Sequence, residues 1–185
     1  GQYQNLYYLS IQGTVSGIFS LSTGCKIKCC KVYNSSATAN RTALTLGTDG
    51  MAIGCEVISV NGTAIYLNST SKAIGCYCHD SNVGFAISST RVNVSECITH
   101  ATRTAGINNT TSSTSNVFKN ITMHGFATPR ANTYGLLIGA TPVNVHTMSC
   151  IITGQAVGIS GTTSQKYSNA GCFNIFYNNT ANAAL

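Results

Sequence analysis

The chain has 185 residues, with ten Lys+Arg against four Asp+Glu, so 8% of it is charged where a soluble domain carries roughly 25%. Ser, Thr and Asn number 20, 24 and 18, and the 43% of hydrophobic residues recur along the whole length, which excludes both disorder and a long helical bundle. No run approaches 18 consecutive apolar residues, so no membrane span is expected; the first residues carry no signal-peptide pattern, which reads as a mature, processed or partial chain.

Residues 1–15 form a Tyr-rich, β-like stretch, read as an N-terminal assembly or capping segment ahead of a domain over 16–185. From there the chain repeats. Short period-2 strands are predicted at Ser16–Leu21, Ala43–Gly47, Ala64–Asn68, Gly84–Ser88, Gly106–Asn109, Tyr134–Gly139 and Val157–Gly161. Polar turns such as Asn68-Ser69-Thr70-Ser71 follow them. Each leads into a second apolar stretch, among them Met51–Val57, Lys72–Cys78, Val92–Ile98, Val143–Ile152 and Ser168–Ile175. Seven rows align, which is the mark of a solenoid.

Cysteine marks the register. Cys30, Cys55, Cys76, Cys97, Cys150 and Cys172 fall in one column, with Ile121 in the slot of the fifth row. Gly54, Gly75 and Gly171 precede the marker in three rows, Asn120 and Ser149 in two others, and Gly and Asn accept the positive φ of a sharp corner. The marker therefore points inward just past a bend, and Val32, Val57, Cys78, Met123 and Ile152, two residues on, point inward again. Longer spacings place insertions at Asn34–Asn40 and Ala127–Asn132.

Such rungs describe an all-β parallel β-helix of about seven turns with three short strands each. An antiparallel sandwich also offers short strands and Ser/Thr/Asn turns, but it leaves one cysteine column behind a glycine unexplained. The rows resemble the right-handed parallel β-helix family of phage tail-spikes and fibres, bacterial surface proteins and pectinases, over Ser16 to Asn179. That resemblance implies the fold, and many of its members are polysaccharide lyases or hydrolases.

The residues argue against carrying the activity over. Glycoside hydrolysis usually needs facing carboxylates, and Asp49, Glu56, Asp80 and Glu96 fall in different columns. The paired-aspartate pattern of polygalacturonases is missing, and so is the acidic cluster a calcium-dependent lyase requires. His79, His100 and His124 end their strands about three residues past the marker, while His146 lies elsewhere. Stacking would bring His79 and His100 close enough to share a metal, but solvated rim histidines are the expectation. Cysteine spacings suit zinc poorly, and no cofactor is expected. The cations stand mostly singly, apart from Lys26, Lys28 and Lys31, so no nucleic-acid partner is expected.

Asn34, Asn40, Asn61, Asn68, Asn93, Asn108, Asn109, Asn120 and Asn178 each begin an Asn-x-Ser/Thr sequon and are candidate glycosylation sites. A low-charge surface of amides and hydroxyls suits an extracellular or virion-surface location. The expected function is a non-enzymatic structural protein of an extracellular filament or a virion spike or fibre. It would assemble head-to-tail with copies of itself and touch cell-surface glycans weakly. The alternatives are a polysaccharide lyase or hydrolase, and a host-glycan receptor module with a groove containing Tyr66 and Tyr77.

Overall fold

A computed structural model of the chain describes residues 5–13, 19–36, 38–39, 41–109, 115–125, 131–139, 145–161, 167–168, 174–177 and 179–184. None of these is helical. They form three eight-stranded parallel sheets, named A, B and C here in the order the chain visits them. Sheet A runs from Asn5–Tyr7 to Tyr167–Ser168, sheet B from Ser10–Gly13 to Ile175–Tyr177, and sheet C from Phe19–Leu21 to Ala181–Ala184. One circuit through A, B and C makes a coil, and each coil pairs in register with the next: Ala73 with Val94, Cys78 with Thr99, Phe85 with Ile107. The molecule is a parallel β-solenoid.

The seven predicted rows are the first seven strands of sheet C; Ala181–Ala184 adds the eighth. Residues 5–13 supply the first strands of sheets A and B, where Leu6 pairs with Ile27 and Ile11 with Val32. The 15/16 boundary drawn from the sequence therefore does not separate two kinds of structure: described residues on both sides belong to the same sheets. Leu6 and Ile11 pack against the core only partly.

Each described bend between sheets A and B hangs on one residue in the left-handed region. Cys29, Gly54, Gly75, Glu96, Asn120 and Ser149 have φ between 50° and 61°. For the non-glycines this conformation costs roughly 1–2 kcal/mol each. A backbone bond offsets it: the corner N–H donates to the coil below, Cys29 to Ile53 O at 2.8 Å, Gly75 to Ser95 O at 3.0 Å, Asn120 to Met148 O at 2.9 Å. Sheet C turns into sheet A by the same device at Gly24, Asp49, Thr70, Arg91 and Ser115.

The residue after the A–B corner points inward. Cys30 is 2% exposed, and Cys55, Cys76, Cys97, Ile121 and Cys150 are each 1% exposed. Two positions on, Val32, Val57, Cys78, Met123 and Ile152 line the interior. The end of the column departs from the sequence reading. Ile151 pairs with Ile175, so the slot after Cys150 belongs to Asn174, not to Cys172. Asn174 fits because its Oδ1 accepts the Cys150 N–H at 3.0 Å. Cys172 itself, with Gly171, lies outside the described residues.

Opposite sheet B, the second residue of each long strand of sheet C is small: Ala43, Ala64, Gly84, Gly106, Gly135. A Cβ on Gly135 would stand 2.3 Å from Ile152 Cγ2 and 2.6 Å from Gly158 O. Small residues on one wall make room for larger ones on the other, and the interior closes without a channel at those levels.

Candidate functional site

Because strand residues alternate, sheet B shows two outward columns to solvent. The position just past the marker stacks Lys31, Glu56, Tyr77, Ile98, Thr122 and Ile151. The position two further stacks Tyr33, Ile58, His79, His100, His124 and Thr153. Three histidines thus stand on three consecutive coils. The His100 and His124 rings stack with centroids 5.1 Å apart and planes 7° from parallel. His79 stacks instead on Tyr77, at 4.5 Å and 21°.

This stacking joins residues the sequence reading kept apart. Glu56 Oε1 lies 2.8 Å from Lys31 Nζ and 3.1 Å from His79 Nε2, and His79 Nδ1 lies 2.7 Å from Asp80 Oδ2. Two of the four acids therefore meet on one imidazole, although their columns differ as expected. An imidazole flanked by carboxylates on both nitrogens can donate to both only when it carries both ring protons. The other two acids lie elsewhere: Asp49 accepts a hydrogen bond from Thr70 at a C–A corner, and Glu96 sits exposed at an A–B corner.

Lys31 first, and then His79, hold the Glu56 carboxyl below its ordinary value of 4.5. Burial and the nearby charges of Asp80 and Glu56 raise the Tyr77 phenol. A depressed carboxyl stabilises the fold above its unfolded pKa and loses that contribution as pH falls through the folded value. The Glu56 and Lys31 side chains are 35% and 55% exposed, so solvent screening keeps the effect small. Glu56→Gln is expected to cost less than about 1 kcal/mol at neutral pH. The difference from the parent should vanish in urea titrations run well below the carboxylate range.

Chemically the cluster can hold a proton between two carboxylates, next to an aromatic face. It sits on an open sheet with Asp80 63% exposed, and no wall of the described residues excludes water from it. The apolar depression lined by Ser149, Cys150, Ile151 and Ile175 lies three strands further along sheet B. Among the described residues no group of three His, Cys, Asp or Glu is placed to hold a metal ion. The structure holds no helix long and apolar enough to cross a membrane among the described residues.

The remaining sequence candidates scatter. Tyr66 faces outward from sheet C and bonds Ser88, whereas Tyr77 is on sheet B, so the two share no groove. His146 is on sheet A, opposite Val117. Asn34 and Asn109 are 1% and 0% exposed, so neither can carry a glycan in the folded chain, because both point into the solenoid. Asn61, Asn68, Asn93 and Asn108 are half-buried, and the Asn61 and Asn68 amides donate to Ser36 O and Leu46 O. Asn120 is exposed at its corner; Asn40 and Asn178 lie outside the described residues.

No protein-family model matches the chain, and no curated protein matches it. A solved structure described as a "putative glycosyl hydrolase" from Parabacteroides merdae is similar over 99% of this chain and 81% of its own, at 6% identity and a TM-score of 0.41.

Proposed function

We propose that this solenoid is a non-catalytic structural element of an extracellular filament or a virion spike or fibre. The observation that carries the reading is the regularity of the stack. Three parallel sheets continue in register through eight strands each, over inner columns that are closed to solvent. Such a stack resists bending, because each coil is held to the next by backbone bonds on all three sides. Its open outer sheets, on a chain rich in Ser, Thr and Asn, suit side-by-side or head-to-tail contact and weak carbohydrate contact. Electron microscopy of the purified chain should show rods or filaments, and no oligosaccharide should be released from neutral or acidic polysaccharides. Compact particles with robust polysaccharide cleavage contradict the reading.

A second reading has its own observation, the Glu56–His79–Asp80 cluster beside Tyr77. In a glycan-active enzyme it would supply an acid/base pair. Product release that is abolished by Glu56→Gln and by Asp80→Asn would establish it.

A further inference from the structure

In the sequence most of the cations stand singly; in the fold four of them share one face. Lys26 and Lys28 are the outward residues of the second strand of sheet A, Lys72 stands on its fourth strand and Lys119 on its sixth. None of them lies in an ion pair with a described acid. The described strands of sheet A contain no Asp or Glu at all. The nearest acids in sequence are corner residues: Asp49, engaged by Thr70, and Glu96. The face therefore carries four of the ten cations and none of the four acids.

What separates Lys26 and Lys28 from Lys72 is apolar, whereas Asn93 and Ser95 stand on the strand between Lys72 and Lys119. Met51 pairs with both Lys26 and Lys72 across its strand, so the column reads Lys, Met, Lys. In the other column Ile53 follows Lys28 and Ile74 follows Ile53, before Ser95 and Lys119. Met51, Ile53 and Ile74 are half-buried, in a sheet with nothing described covering it. Tyr7, 46% exposed, extends the face, with Lys28 Nζ 5.7 Å from its ring centre. The second to sixth strands span about 19 Å at the usual strand spacing.

We infer that the outer face of sheet A docks peripherally on a lipid bilayer bearing anionic headgroups. The inference stands whether the solenoid is a rod or an enzyme. Charge complementarity selects an anionic partner, and the spacers select a bilayer. A polyanion bound between lysines is usually met by hydrogen-bonding side chains, and it would strip water from Met51, Ile53 and Ile74 without replacing it by apolar contact. At a membrane surface the same side chains settle at the headgroup boundary, while lysine stems lie along the apolar surface and raise their ammonium groups to the phosphates. A lysine near such a surface contributes roughly fivefold in affinity.

The full chain should cosediment with mixed phosphatidylcholine–phosphatidylserine vesicles and not with pure phosphatidylcholine. Replacing Lys26, Lys28, Lys72 and Lys119 together by Gln should lower the affinity by roughly two orders of magnitude or more. Arg41→Gln, which removes one exposed charge outside this face, should leave it unchanged. Ile53→Ser with Ile74→Ser should lower it by about tenfold and make the remainder fully reversible by salt. All variants change half-buried or exposed side chains, and an unaltered β circular-dichroism spectrum confirms their fold. No dependence on phosphatidylserine, or no effect of the four-lysine variant, overturns the inference. Heparin or single-stranded DNA binding as tightly as vesicles, with the isoleucine variant neutral, overturns it in favour of a polyanion.

Discussion

Gly135→Ala is expected to destabilise the solenoid by about 2–3 kcal/mol, although the substitution adds a single methyl group to a β-strand. Elsewhere alanine in place of glycine within a strand is favourable, since glycine loses more backbone freedom on folding. Here the new Cβ would stand 2.3 Å from Ile152 Cγ2 and 2.6 Å from Gly158 O. The isoleucine can shift, but the carbonyl is backbone in the neighbouring coil and its ladder holds it in place. Gly75→Ala provides the control. That Cβ meets nothing closer than Gly54 N at 3.9 Å, so the cost is the left-handed φ alone, about 1 kcal/mol. Corners equivalent to Gly75 already carry Cys29, Glu96 and Ser149. Thermal melts should separate the two variants, at roughly 2–4 °C for each kcal/mol. Combining Ile152→Ala with Gly135→Ala should lose less than the sum of the two single losses, a coupling expected only where the two side chains collide. Equal melting of the Gly135 and Gly75 variants would mean that the two walls of the solenoid do not press on each other there.

The contrast between these glycines shows which features a sequence of this kind displays. The period, the strands of sheet C and the corner glycines were legible because each coil repeats one local rule. An inward residue follows a left-handed bend, and a cysteine or isoleucine fills it. The end of the column was misplaced because spacing alone made Cys172 the marker, while the backbone ladder from Ile151 to Ile175 put Asn174 there. The cluster of Glu56, His79 and Asp80 was missed for a different reason. An ion pair between coils joins neighbouring columns: Glu56 is one residue past its marker, and His79 is three past the next. Lys72 and Lys119 stand apart from the Lys26–Lys28 pair in sequence, because one coil takes 20 to 30 residues, while sheet A stacks all four on one face. The rows already contained both signals. Reading them needed the diagonal neighbours as well as the vertical ones.

Thiol reactivity should divide the cysteines sharply. Cys29 is exposed at its corner, whereas Cys55, Cys76, Cys78 and Cys97 are buried. The Cys55 thiol is raised far above its ordinary value of 9.0 by the hydrogen bond it gives to Cys76 and by burial. At Cys76 the bond with Cys55 pulls downward, but Cys97 and burial prevail and push the thiol up to about 12. Burial raises Cys78 as well. The thiolate is the reactive species, so at pH 8 the raised Cys76 thiol stays protonated and unreactive even if reagent could reach it. Iodoacetamide followed by mass spectrometry should therefore mark Cys29 at the rate of an open thiol and the interior column only after denaturant opens the coils. A stability consequence follows, with its sign fixed by the direction of the shifts. In the unfolded chain these thiols lose their protons near 9.0, while in the fold they keep them to higher pH, so unfolding releases protons in that interval. Stability is complete below pH 9 and falls as alkali is added, by up to about 1.4 kcal/mol per pH unit for each such thiol. Replacing Cys55 and Cys76 together by alanine lowers stability at neutral pH, since it empties volume in the core, yet should flatten the decline between pH 9 and 11. A parent protein whose denaturation midpoint is level over that interval, or whose Cys76 is alkylated as fast as Cys29 at pH 8, does not have a closed cysteine column.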